Sequence, residues 1–245
     1  MSEKTVLVVG GAGYIGSHTC MELAAHGYRP LVYDNFSAGH RDFVRWGDAV
    51  EGDILDFEKL SALLRQERPL GVIHFASSIN VGESVLEPGK YYRNNFNGSL
   101  SLVEAMRNSG VNNLVVSSTC AVYGDPEEVP IAESTPFNPM SPDGASKAVM
   151  ERMLDDFAVA HGLRFAALRY FNASGADGDA RVGERHEPET HLIPRVFMAA
   201  TGQLSALSPL GHAYDPPDGT CLRDYVAVHD LAPAPRQALA SLVYG

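Results

Sequence analysis

Cysteine is scarce in this 245-residue chain, and the three present (Cys20, Cys120 and Cys221) are odd in number and far apart. That pattern supplies neither a disulfide framework nor paired-cysteine metal spacing, so a reducing cytoplasm and no metal are expected. Basic residues are also short, with 19 lysines and arginines against 30 acids and a formal net charge of −11. This balance argues against nucleic acid or an anionic membrane as the main partner. It leaves room for an anionic substrate held by glycine loops and a few arginines. No apolar run reaches the roughly 18 residues of a membrane span, and no signal-peptide pattern precedes the first strand. Internal repeats and low-complexity tracts are missing too. What remains is 45% hydrophobic and 20% charged, a globular composition for one large domain or one and a half.

Glycine, by contrast, is placed with purpose. Thr5 to Gly16 reads T-V-L-V-V-G-G-A-G-Y-I-G, a run of β-formers followed by Gly10, Gly13 and Gly16. The stretch also satisfies G-x-G-x-x-G through Gly11, Gly13 and Gly16, ahead of a helical run from Tyr14 to Gly27. A buried strand turning tightly into a helix N-terminus makes a pyrophosphate site. There the backbone comes close, and unpaired N–H groups and the helix dipole favour negative charge. The next strand, Pro30 to Asp34, ends in an acid 18 residues after Gly16, near the spacing at which a carboxylate grips adenosine ribose hydroxyls. A carboxylate there repels a 2′-phosphate, which favours NAD over NADP. Asp34 also suits a turn with Asn35.

Strand and helix patterns alternate along the chain. Strands are expected at Thr5–Val9, Leu31–Asp34, Gly71–Phe75, Asn113–Ser118 and Arg164–Tyr170. Helices are expected near 14–27, 56–67, 91–110 and 144–161. The alternation predicts right-handed βαβ units and an α/β fold with a Rossmann-like, doubly wound parallel sheet. After Tyr170 glycine, proline and polar residues dominate 172–190 and 208–220. One helix, Glu189–Thr201, lies between them, and a last helical stretch runs from Asp230 to Val243. The division expected is an NAD-binding domain over 1–172 and a partial, loop-rich substrate lobe over 173–245.

Ten segments stand out in order along the chain: G-G-A-G-Y-I-G-S-H at 10–18, Y-D-N at 33–35, G-D-I at 52–54, H-F-A at 74–76 and V-G-E-S-V at 81–85. They continue with Y-Y-R-N-N at 91–95, S-S-T-C-A-V-Y-G at 117–124, L-R-Y-F-N at 168–172, H-L-I-P at 191–194 and D-G-T-C-L-R-D-Y at 218–225. Together they resemble the UDP-glucose 4-epimerase family of the extended short-chain dehydrogenase/reductase superfamily. The resemblance implies that tightly bound NAD oxidises C4 of a UDP-sugar, that the keto intermediate rotates, and that hydride returns to its other face. It places the cofactor against Gly10, Gly13, Tyr14, Ile15 and Gly16, then Asp34, Asn35, Asp53 and Ile54. Phe75, Ala76 and Asn94 follow, with Ser117, Lys147 and Tyr170 completing the set. It places the UDP-sugar against Thr119, Asn172, His191, Leu192 and Arg223. It also implies a homodimer through the helices matching 91–110 and 144–161, which the apolar Tyr91, Tyr92, Phe96, Val149, Met153 and Phe157 permit.

Catalysis in the family needs one group to take the O4 proton and give it back. Members use a tyrosine, with a lysine four residues later lowering its pKa and a Ser or Thr hydroxyl bonding the same oxygen. Here the hydroxyl is Thr119 and the lysine is Lys147, but S-P-D-G-A-S-K at 141–147 puts Asp143 at the tyrosine's position. A carboxylate has an ordinary pKa near 3.9 against about 10 for a phenol, and it is shorter, so a weaker base is expected. Read without the family, Asp143 suits a helix N-cap. Lys147 then suits a solvated stripe with Asp143, Glu151 and Asp155, opposite a core stripe of Val149, Met153 and Phe157. Other departures are Ile79, where many members carry lysine, and Ala227, where histidine is usual. The family continues well beyond residue 245 into material that completes the substrate lobe, which leaves Arg223 as the retained diphosphate contact. Tyr123 is expected to pack structurally, and Cys120 to be a small buried residue. A nucleotide-sugar dehydratase fits less well, because Cys120 and Ala121 follow Thr119 where such enzymes carry Asp-Glu. A catalytically inactive NAD-binding protein is the remaining reading, motivated by Asp143 and the short C-terminus.

Overall fold

The computed structural model describes residues 4–207, 219 and 221–245. The chain opens with β1 (Thr5–Val9), α1 (Tyr14–Ala25), β2 (Arg29–Asp34), β3 (Asp48–Glu51), α2 (Phe57–Glu67) and β4 (Val72–His74). Next come α3 (Val81–Leu86) and α4 (Pro88–Tyr91), which runs through a π-helical segment, Tyr92–Asn97, into α5 (Gly98–Ser109). Then follow β5 (Asn113–Ser117), a 3₁₀ turn (Cys120–Tyr123), α6 (Pro142–His161), β6 (Arg164–Leu168), β7 (Asn172–Ser174) and α7 (Leu192–Ala200). The described chain ends with β8 (Tyr225–Ala227), α8 (Val228–Leu231) and α9 (Pro233–Tyr244).

The main sheet is wholly parallel, in the order β3-β2-β1-β4-β5-β6. Helices cover both faces, so every residue of β1 is buried and the strand reads as a continuous apolar run. Alternate side chains feed two cores. Leu7 and Val9 pack with Leu60 and Leu64 of α2, Leu102 and Met106 of α5, and Met150 and Leu154 of α6. Val6 and Val8 pack on the other face with Leu23 of α1, Val32, Ile73, Val115 and Leu239 of α9. Strand order reverses between β1 and β4, which opens a crevice at the carboxyl ends of those strands. β7 and β8 form a separate two-stranded parallel sheet.

Several boundaries differ from the sequence expectations for identifiable reasons. α6 starts at Pro142 because Ser141, not Asp143, is its N-cap, accepting a bond from Gly144 N at 3.3 Å. Asp143 sits inside the first turn. The 91–110 helix contains the π-helical segment, and the terminal stretch breaks before Pro233, which takes the first position of α9. β3 was not anticipated, since D-A-V-E is a short, exposed edge strand without alternation. Of the proline-rich 208–220 stretch, all but Gly219 lies outside the described residues. No described helix is long and apolar enough to cross a membrane.

Candidate active site

Each glycine of the first turn has its own reason. Gly10 has φ +80°, and a Cβ there would stand 2.5 Å from Ala76 N. Its N–H donates to Tyr33 O at 2.9 Å, tying the turn to β2. A Cβ on Gly16 would run into the Gly10 carbonyl and lie 2.8 Å from Gly11 Cα, so α1 can meet β1 only through glycine. A Cβ on Gly13 would meet only Gly10 O, at 3.4 Å, leaving space beside the turn. Gly13 is also the N-cap of α1. No side chain caps the helix and no acid occupies its first turn, so the amides around Tyr14, Ile15 and Gly16 keep their affinity for an anion.

Asp34 closes this end of the crevice. Its Oδ2 accepts from Ala12 N at 3.0 Å and its Oδ1 from Phe36 N at 2.8 Å. Burial raises its pKa, and these two bonds work against that. Asn35 donates to Asp53 Oδ2 at 2.9 Å, and Asp53 Oδ1 accepts from Leu55 N. Ile54 instead belongs to the core under α5, where a Cβ on Gly98 would lie 2.6 Å from its Cγ2. Phe75 and Ala76 follow β4 directly, half-buried against the glycine turn, with Asn94 Nδ2 3.5 Å from Ala76 O. Ser117 and Tyr170 share a hydroxyl–hydroxyl hydrogen bond, and burial pushes the Tyr170 phenol up to about 12.

The N-terminus of α6 packs on the turn after β5. Gly144 permits this, since a Cβ there would lie 2.7 Å from Ala121 O. Thr119 caps the 3₁₀ turn by accepting from Ala121 N at 3.1 Å, which fixes its hydroxyl at the start of that turn. Of the expected solvated stripe on α6 only Asp155 is exposed, and of the opposite stripe Met153 does lie in the core. Asp143, Lys147 and Glu151 are 5%, 4% and 4% exposed, while Val149 of the expected core stripe is 44% exposed. Asp143 Oδ1 is buried without a hydrogen-bond partner. Its pKa is raised by burial, and the Lys147 charge only partly offsets that. Burial lowers the pKa of Lys147, which Asp143 and Cys120 oppose. Burial also raises the Cys120 thiol, so it is a poor nucleophile.

Several members of the site were given no role by the sequence reading, although Asn95 and His74 fall within the matching segments at 91–95 and 74–76. Asn95, turned inward by the π-helical segment, accepts from Ser78 N at 2.8 Å and donates to Ser146 Oγ at 3.1 Å, joining the β4 loop to α6. His74 accepts from Ala76 N at 3.2 Å through Nδ1 and pairs with Ser99 Oγ at 3.0 Å through Nε2. Burial, with the Lys147 charge, holds it down at about 3. Glu151 anchors Ser118 by a hydrogen bond and receives Arg169 at 3.0 and 2.5 Å. Arg169 in turn donates to Tyr123 OH at 2.8 Å and stacks over Phe137, so Tyr123 is engaged in packing.

The expected substrate residues divide. Asn172 donates through Nδ2 to Asp224 O at 2.8 Å and so staples β7 to β8. Arg223 is exposed, with Nη1 donating to Leu222 O at 2.9 Å, and its charge reaches Cys120 beside Thr119. His191 is the N-cap residue of α7 and Leu192 its first, exposed residue. The His191 ring meets Glu189 and Glu184, at 2.8 and 2.9 Å, and belongs to a cluster of Glu184, His186, Glu189 and His191 that the sequence reading missed. The Tyr14 side chain leaves the glycine turn and donates to Gly175 O at 2.6 Å, linking α1 to the segment after β7.

Comparison with known proteins is consistent with this geometry. Residues 6–243 match the family model described as the NAD dependent epimerase/dehydratase family. The chain is 51% identical over 245 residues to a UDP-glucose 4-epimerase of Rhizobium leguminosarum bv. trifolii, covering all of this chain and 75% of that protein. A crystal structure of UDP-glucose 4-epimerase from Brucella ovis in complex with NAD is 56% identical, with a TM-score of 0.95 over 98% of this chain and 74% of its own. A Bifidobacterium longum UDP-glucose 4-epimerase in complex with NAD+ and UDP is 37% identical, with a TM-score of 0.90 over 94% and 72%.

Proposed function

The chain belongs to the NAD dependent epimerase/dehydratase family, and from that membership we propose that it inverts C4 of a UDP-hexose, interconverting UDP-glucose and UDP-galactose. The observation that carries this reading is the joint burial of Asp143 and Lys147 at the start of α6, which packs on the 3₁₀ turn that Thr119 caps, with Lys147 near His74 of β4. The residues fit NAD. An uncapped helix N-terminus stands over the glycine turn, a carboxylate ends β2, and a buried lysine lies near the end of β4. The first-turn amides of α1 would hold the pyrophosphate, Asp34 the adenosine ribose and Lys147 the nicotinamide ribose. When bound, NAD supplies the hydride acceptor and donor that makes C4 transiently a ketone.

The chain's own residues manage the proton and the pose. Thr119 offers its hydroxyl to O4 of the sugar. Asp143 takes the O4 proton on its unpartnered Oδ1 and returns it. Burial raises the Asp143 pKa toward the useful range, which compensates part of the loss of a phenol. Its shorter reach calls for a bridging water. Arg223 holds the diphosphate, and the Tyr14–Gly175 bond keeps the second lobe against the cofactor turn.

The test is turnover of UDP-galactose to UDP-glucose with added NAD+, on the chain and on Asp143→Tyr. Slow turnover is expected, rising by about 100-fold in the variant, the usual scale of a well-placed general base. Absence of turnover in both proteins while NAD remains bound refutes the epimerase reading and leaves a cofactor-binding protein without this chemistry. A 4-keto-6-deoxy product instead would make the chain a dehydratase.

A further inference from the structure

Four chemically reactive side chains converge on the segment that leads into α7, with the His186 ring edge-on to Tyr14 at 6.4 Å. Glu184, His186, Glu189 and His191 each present one donor atom, and the four atoms lie within 4.8 Å of one another. His191 Nδ1 is 2.9 Å from Glu184 Oε1 and 2.8 Å from Glu189 Oε1. His186 Nδ1 is 3.4 Å from the same Glu184 oxygen and 3.8 Å from Glu189 Oε2. The two carboxylates are only 9% and 8% exposed. His186 Nδ1 is buried and makes no hydrogen bond, although it points between them.

From this geometry we propose that Glu184, His186, Glu189 and His191 bind one zinc ion in a tetrahedral N₂O₂ site. Zinc takes imidazole nitrogen at about 2.0–2.1 Å and carboxylate oxygen at about 2.0–2.2 Å, so the edges of its tetrahedron are about 3.3–3.5 Å. The four nitrogen–oxygen separations, from 2.8 to 3.8 Å through Glu184 Oε1 and both oxygens of Glu189, bracket that edge, and the widest separation among one atom from each residue, within 4.8 Å, closes by small side-chain rotations on binding. Charge agrees as well. An imidazole must be neutral to bind a metal, so two carboxylates ligating beside two imidazoles carry two negative charges, which a divalent ion cancels. Equal numbers of imidazoles and carboxylates favour zinc over magnesium or calcium, which prefer all-oxygen shells. The ion has an entry path, because Glu184, His186 and Glu189 line an open cleft with Pro194, Met198 and Leu204. Once bound, it pins the 184–191 segment to the start of α7. The spacing E-x-H-x-x-E-x-H at 184–191 explains why the sequence expectation of no metal, drawn from the cysteines, passed over it. The site shares His191 with the UDP-sugar contacts that the resemblance implies, but its test does not depend on epimerase turnover.

The test is zinc uptake by the tag-free chain, stripped with EDTA, loaded with zinc chloride and freed of excess. Metal analysis is expected to give one zinc per chain, and competition with a chromophoric chelator a dissociation constant of micromolar or below. X-ray absorption on the loaded protein should show a nitrogen and oxygen shell near 2.0–2.2 Å with imidazole scattering. His186→Asn and Glu184→Gln, each verified as folded by circular dichroism, should each weaken binding by about 100-fold or more. No zinc beyond the buffer blank, a sulfur shell, displacement by equimolar magnesium or calcium, or unchanged affinity in both folded variants would each overturn the assignment. The absorption spectrum needs no variant, so the proposal can fail even if both substitutions prevent folding.

Discussion

His74 makes acid stability a direct probe of the crevice. The side chain is 2% exposed at the end of β4, between the glycine turn and Lys147. Its folded pKa, about 3, lies below the ordinary 6.5. Between those values the unfolded chain binds a proton that the folded chain refuses. Stability from a neutral His74 is therefore complete above pH 6.5 and is lost as pH falls through that value. Each pH step well inside the window costs about 1.4 kcal/mol, so this one residue removes about 2 kcal/mol between pH 7 and pH 5 and about 4 kcal/mol by pH 3. The assay is urea denaturation followed by circular dichroism at pH 7, 6 and 5, for the chain and for His74→Asn. Asparagine cannot take the proton, so the variant should start less stable at pH 7 but lose about 2 kcal/mol less on going to pH 5. Parallel losses would refute the reasoning, since the other histidines are common to both proteins.

Two further outcomes follow from close contacts. Gly16→Ala drives a methyl group into the Gly10 carbonyl and Gly11 Cα. It should cost about 1–3 kcal/mol of stability and lower NAD affinity by at least about 10-fold in a fluorescence titration. Arg169→Met leaves Glu151, 5% exposed in its side chain, without its charge partner. A loss of about 3–5 kcal/mol in chemical denaturation is expected, and Glu151→Gln added to it should recover part of that loss.

Local rules carried the first third of the chain. β1 matches the expectation residue for residue, because an all-apolar run followed by spaced glycines permits only one local outcome. Asp34 was legible from its distance to Gly16. The α6 stripe was not, because i,i+4 spacing of Asp143, Lys147 and Glu151 reads as a solvated face until Thr119, His74 and Arg169 are seen to surround it. Asn95 was hidden for another reason. Its inward orientation comes from a π-helical segment, and Y-Y-R-N-N carries no periodicity that marks one. The Glu184–His191 cluster lies on a segment without helix or strand, where no repeat brings residues to one side.

The return of α9 to the main sheet reverses the usual agreement between order of synthesis and order in space. Leu239 touches a core whose other members, from Val6 to Val115, were made more than a hundred residues earlier. A nascent chain that has already threaded β6 still exposes part of the apolar surface between α1, β5 and β6. That surface waits until β7, α7 and β8 have also emerged. Completion of the main sheet's second core is thereby delayed to the end of the described chain, and the segment carrying β7, α7 and β8 is held by sequence on both sides before that core is closed.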